Sequence, residues 1–147
     1  MAKSVNPIHD QVATRLRERG LVYTAGRRQL VELLMQQKRP ASVPELLKLR
    51  AKLTQSSMYR NLADLEQVGI VHRVAGINEH ARYELNESFI GHHHHLICVK
   101  CGTIDDFIVL PSTERAIDDA LHKAAKTVRF SISGHRLDAI GLCSSCK

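Results

Sequence analysis

The 147-residue chain has no apolar run approaching the roughly 18–20 residues that cross a bilayer. Its opening, MAKSVNPIHD, lacks the apolar core of a secretory signal. Both absences predict a cytoplasmic protein without a membrane partner. Thiols stay reduced in that compartment. Cysteine is scarce, with four residues, and all four fall in two C-x-x-C pairs, a pattern that favours metal over disulfides. The helical H-E-x-x-H signature of zinc hydrolases is also absent. A hydrolase built on the chain's His, Asp and Glu residues would need a base beside a substrate pocket, and no motif marks one. A C-x-x-C redox enzyme would leave the second pair and the histidines unexplained. The expectation is a protein that is not an enzyme and has no small-molecule substrate.

What is present is unevenly divided. Hydrophobic residues make up 44% of the chain, ordinary for a folded protein. Residues 1–80 hold 13 Lys and Arg against 7 Asp and Glu, whereas residues 81–147 hold 8 of each. The net charge of +6 therefore lies in the first half. Seven of the nine histidines and all four cysteines lie from residue 80 onward. A basic half and a ligand-rich half predict two modules in an α+β chain.

In the basic half, HDQVATRLRERG (9–20) has Val12 and Leu16 at helical spacing, with Gly20 as a stop. TAGRRQLVELLMQQ (24–37) follows with Thr24 as N-cap, and SVPELLKLRA (42–51) starts at Ser42. The fourth helix, TQSSMYRNLADLEQVG (54–69), buries Met58, Leu62 and Leu65 and ends at Gly69. IVHRVA and ARYEL then form a hairpin around GINEH. Helices followed by a hairpin predict a winged helix-turn-helix, in which the last helix enters the major groove. That helix gathers Thr54, Gln55, Ser56, Ser57, Tyr59, Arg60 and Asn61 near its N-terminus, suited to phosphate and base-edge contacts with double-stranded DNA.

In the other half, Cys98 and Cys101 are separated by 41 residues from Cys143 and Cys146. Two such knuckles complete a tetrahedral S4 site, which favours Zn²⁺ or iron and is structural more often than catalytic. The long gap requires a subdomain that folds between them: GTIDDFIVL as strand, PSTERAIDDALHKAAK as helix, and VRFSISGHRLDAIGLC as one or two strands. The run HHHHLICV (92–99) reads as the start of a strand. Side chains alternate along a strand, so His93 and His95 face one way and His92 and His94 the other. Four such histidines serve two sites rather than one.

SSMYRNLADLEQVGIVHRV, RYEL, HHHHLICVKCGTIDDF and SGHRLDAIGLCSSC together resemble the ferric uptake regulator (Fur) family of bacterial metal-responsive repressors, over roughly residues 8–146. The resemblance implies a winged-helix domain (1–85), a hinge (86–91) and a metal-binding dimerisation domain (92–147) of a homodimer that binds operator DNA. Cys98, Cys101, Cys143 and Cys146 match the family's structural zinc ligands, and Tyr59 and Arg60 its DNA-contacting element. A regulatory site at the hinge would draw on Glu84, His93, His95 and Asp106. A third site would use His92, His94, His135 and Glu114, with Thr113 as the alternative register.

The chain also departs from the family pattern. Pro40 stands where iron and peroxide sensors place a histidine, which argues against a peroxide sensor. His72 stands where zinc-sensing members carry a ligand, although the cysteine that zinc sensors often have after the wing is missing. His72, Glu84, His93 and His95 would suit tetrahedral Zn²⁺; adding Asp106 would make a five-coordinate set open to Fe²⁺ or Mn²⁺. A zinc-responsive repressor is the favoured expectation, and an iron-responsive or manganese-responsive one the alternative.

Overall fold

A computed structural model describes residues 6–49, 52–77 and 81–147. The chain divides after Gly91 into two compact units.

The first unit is built from helices with strong local start and stop signals. Helix α1 (Pro7–Glu18) is capped by Asn6, and α2 (Ala25–Gln37) by Thr24, whose hydroxyl accepts from the Arg27 amide. A two-residue strand β1 (Ala41–Ser42) leads into α3 (Val43–Lys48). There Ser42 and Glu45 cap one another reciprocally. Helix α4 (Gln55–Gln67) precedes the strands β2 (Val71–Val74) and β3 (Arg82–Leu85), and α5 (Glu87–Ile90) follows. Helices α1 and α4 end alike. Gly20 and Gly69 take positive φ, and the next amide returns to the carbonyl of Leu16 or Leu65 at 2.9 Å. A residue with a Cβ would be strained at either position.

Apolar faces converge on one core that includes Val12, Leu16, Leu30, Val31, Leu46, Met58, Leu62, Leu65 and Ile70. Strands pair in the order β1-β3-β2, all antiparallel. This is the winged helix-turn-helix anticipated from the sequence. The strand β1 and the helix α5 were not anticipated, because each is too short to show a period. The expected third helix ran to residue 51; it ends at Lys48, and residues 50–51 lie outside the described residues, as do 78–80 of the expected turn. Residues 86–91, expected as a hinge, fall within the first unit and carry α5, with Phe89 packed against the core. Arg15 donates to the Gly69 carbonyl (2.9 Å) and to Ser88 Oγ (3.2 Å), and lies over the Phe89 ring.

The second unit is a small sheet with one helix. Strand β4 (His94–Cys98) lies between β5 (Ile104–Phe107), antiparallel, and β6 (Asp138–Gly141), parallel. A parallel neighbour requires a crossover, supplied by β5 and α6 (Pro111–Thr127). The strands are shorter than their sequence patterns suggest. Strand β5 stops at Phe107, and most of 128–143 is irregular around the four residues of β6. Strand β4 begins at His94, so His92 and His93 precede it.

Candidate metal centres and nucleic-acid face

The two cysteine pairs meet because β4 and β6 run side by side, with Cys98 opposite Gly141. All four sulfurs lie within 4.8 Å of one another. Cys101 and Cys143 are 3.7 Å apart, close to the roughly 3.8 Å edge of a tetrahedron with Zn–S bonds of about 2.3 Å. The backbone amides of Cys101 and Cys143 point at the Cys98 sulfur and hold its thiol down to about 6. The Cys146 thiol is pushed up to about 12, first by hydrogen bonding with Cys143 and then by burial. The Cys101 thiol is also held below its usual range, first by hydrogen bonding with Thr103, so two sulfurs ionise readily and the set fits a cation that all four share.

Four donors gather on one face of the histidine run. His92 Nε2 lies 3.1 Å from Glu114 Oε1, and His94 Nε2 3.0 Å from Oε2. His135 Nε2 approaches Oε1 at 2.9 Å without hydrogen-bond alignment, and is a buried nitrogen left without a hydrogen-bond partner among the described residues. Hydrogen bonding with His94, and then the charges of His94, His92 and His135, hold the Glu114 carboxyl below its usual range. Of Thr113 and Glu114, the two registers left open, Glu114 is the one in contact with these histidines. The carboxylate of Glu114 is the group that meets the histidines. Three imidazoles and a carboxylate fit a divalent cation.

The other face holds His93 and His95, with ring centroids 5.1 Å apart. Asp106 sits opposite His95 across the β4–β5 pair. Its oxygens lie 3.9 Å from His93 Nε2 and 4.0 Å from His95 Nε2. These gaps are too long for hydrogen bonds. Donors about 2.1 Å from one tetrahedral ion stand about 3.4 Å apart, so these groups would close by about half an ångström to share one. Thus the histidines sort into the pairs 92/94 and 93/95, although the regular strand covers only the second half of the run.

In the first unit, His72 and Glu84 are cross-strand partners of the wing, and Glu84 is 5% exposed. At the start of α4, Thr54 caps the helix by accepting from the Ser57 amide at 3.2 Å. Gln55, Ser56, Tyr59 and Arg60 are exposed on that helix, and Tyr59 keeps 42% of its surface. The buried face of Met58, Leu62 and Leu65 fixes which side they present.

Two carboxylates escaped the sequence reading. Asp118 Oδ1 lies 3.0 Å from His135 Nδ1, and Asp138 Oδ1 lies 3.1 Å from His95 Nδ1. Asp118 follows Glu114 by one helical turn, the only local signal that could have drawn attention to it. Asp138 carried none.

Fold and donors together define a winged-helix protein joined to a metal-binding α/β unit. A family model described as the ferric uptake regulator family matches residues 18–140. The chain belongs to that family, whose members are metal-responsive DNA-binding regulators and not enzymes. It is 28% identical over 139 residues to the ferric uptake regulation protein of Legionella pneumophila, covering 90% of this chain and 96% of that one. The crystal structure of the Vibrio cholerae ferric uptake regulator superposes with a TM-score of 0.71 at 27% identity, covering 88% of this chain and 98% of the other. A zinc-bound manganese uptake regulator superposes at 0.62 with 30% identity, covering 91% and 97%.

Proposed function

We propose that the protein is a cytoplasmic, metal-dependent transcriptional repressor of metal-homeostasis genes, tuned to zinc. The observation that carries the metal dependence is the approach of His93 Nε2 and His95 Nε2 to the Asp106 carboxylate at 3.9 and 4.0 Å. Glu84 and His72 of the wing complete the regulatory set in this proposal. Counted without Asp106, His72, His93, His95 and Glu84 are three imidazoles and a carboxylate, and without the histidine that Pro40 replaces they favour tetrahedral Zn²⁺. A zinc-bound structural neighbour is consistent with that choice. The nearness of Asp106 favours a second reading, an iron-responsive or manganese-responsive regulator with five ligands, and relatives named for ferric uptake agree with it.

A bound divalent cation supplies the charge that holds donors from both units together. Wing donors and His93/His95 then favour one arrangement of the two units. In the proposed homodimer that arrangement spaces the two α4 helices for successive major grooves of operator DNA. A coupling of about 1–3 kcal/mol is typical for such effectors. Cys98, Cys101, Cys143 and Cys146 hold a structural zinc, and His92, His94, Glu114 and His135 form a third site. The homodimer is supported by what the single chain leaves uncovered. Only Ala125 of α6 is buried, and Leu96, Ile140 and Leu142 are exposed around one cavity on the sheet.

The test is operator binding against Zn²⁺, Fe²⁺ and Mn²⁺ at fixed salt, since salt alone changes DNA affinity strongly. Zn²⁺ is expected to activate binding at the lowest free concentration. His93→Ala is expected to stay folded and dimeric while losing the metal response. A variant that remains fully metal-responsive would sink the regulatory assignment.

A further inference from the structure

We infer that Asp138 is a positioning residue of the regulatory metal site, holding His95 so that its Nε2 is the nitrogen offered to the ion. The inference rests on the proposal that His95 is a regulatory ligand. It adds a group outside the ligand set.

Asp138 opens β6 and stands opposite His95 in the parallel β4–β6 pairing. The His95 amide donates to the neighbouring Leu137 carbonyl at 3.3 Å, so backbone and side chain are both tied to this corner. Asp138 Oδ1 lies 3.1 Å from His95 Nδ1. An ionised carboxylate only accepts hydrogen bonds, so Nδ1 must carry the proton. In the neutral ring Nε2 then holds the lone pair, and Nε2 is the nitrogen that faces Asp106 next to His93. The His95 side chain is buried, and a ring rotated away from Asp138 would lose its hydrogen bond inside the protein. Tautomer and ring angle are therefore set before a metal arrives.

The same device recurs on the opposite face with different residues. Asp118 Oδ1 takes Nδ1 of His135 at 3.0 Å, leaving Nε2 aimed at Glu114. One helix and one strand, distant in sequence, thus supply the same carboxylate–imidazole pairing to two separate donor sets. Removal of such an outer carboxylate typically lowers metal affinity about 10–100-fold.

The experiment uses the full-length protein with its cysteine zinc retained. Co²⁺ affinity at the regulatory site is measured by competition, and histidine tautomers are read from ¹⁵N spectra before Co²⁺ is added. Asp138→Ala is expected to lose about 10–100-fold in Co²⁺ affinity and to release His95 from the Nδ1–H tautomer. Asp138→Asn keeps an acceptor oxygen, so it is expected to recover most of the affinity with an unchanged Co²⁺ absorption spectrum. Unchanged affinity and tautomer in Asp138→Ala would overturn the inference. So would an Asp138→Asn spectrum showing a lost ligand, because Asp138 would then bind the ion itself. Should Asp138→Ala fail to fold, Asp138→Leu and the Asp138→Asn spectrum carry the same decision. His93→Ala separates the two levels. If it leaves Co²⁺ affinity untouched, the regulatory site itself is misassigned. If affinity depends on His93 but not on Asp138, only the positioning role falls.

Discussion

The two units bury different things. The first packs a continuous apolar core of leucine, valine, isoleucine and methionine from every one of its longer helices. The second buries Ile97, Cys98, Ile104 and Ala125, and with them His93, His94 and His95. A helix of 17 residues with a single buried side chain adds little burial within the single chain. Hydrophobic burial contributes about 25 cal/mol per Å² of apolar surface, so the first unit has a driving force of its own. The second unit spends its interior on candidate metal donors, so in the proposed homodimer bound ions and the partner would supply much of its stability. In this proposal one module is a scaffold that presents α4, and the other is a fold conditional on its ligands.

The largest effect that would break this contrast is at the sulfur set. Cys98→Ser, or strong chelation, is expected to unfold the second unit and dissociate the dimer while the α1–α4 core stays folded. Structural zinc supplies about 10–16 kcal/mol in zinc-finger peptides. Circular dichroism with zinc analysis reads the outcome; a folded dimer with one zinc fewer would mean that apolar packing suffices. Next in size is Leu62→Ala, at a fully buried position. It should cost about 2–5 kcal/mol and lower the first unit's melting transition, with zinc content unchanged. Equal loss in both units would show that they fold as one.

Smaller is Arg60→Ala, on the exposed face of α4. Operator affinity is expected to drop, by about 1–3 kcal/mol if Arg60 reads a base. A salt slope lower by about one with uniform weakening would assign it to phosphate instead. The smallest is Glu45→Ala, which removes the Glu45 half of the α3 capping box and the ion pair with Arg82, at about 1 kcal/mol. Burial pushes the Glu45 carboxyl up, but the Ser42 amide and hydroxyl and the Arg82 guanidinium outweigh it and hold the group below 4.5. The wild-type advantage over Glu45→Ala should therefore be full above pH 4.5 and fade as pH falls through the lowered value. Urea melts across that range check it; an advantage independent of pH would remove the carboxylate from the account.

Local chemistry was readable along the chain. The stops at Gly20 and Gly69, the caps at Thr24, Ser42 and Thr54, and the division of the histidines into 92/94 and 93/95 follow from conformational preference and from side-chain alternation. Both depend only on near neighbours. The cysteine spacing likewise announced a shared sulfur site, because two C-x-x-C knuckles together supply the four thiolates of one tetrahedral ion.

The sequence by itself thus determined the cysteine and histidine candidates and which face each histidine takes. Tertiary structure alone decided who meets whom. It chose Glu114 over Thr113, laid β6 parallel to β4, and set Asp138 on His95 and Asp118 on His135. Those pairings join residues about 17–43 positions apart. No local periodicity encodes such a distance; the register of a crossover strand and the rotation of one helix do.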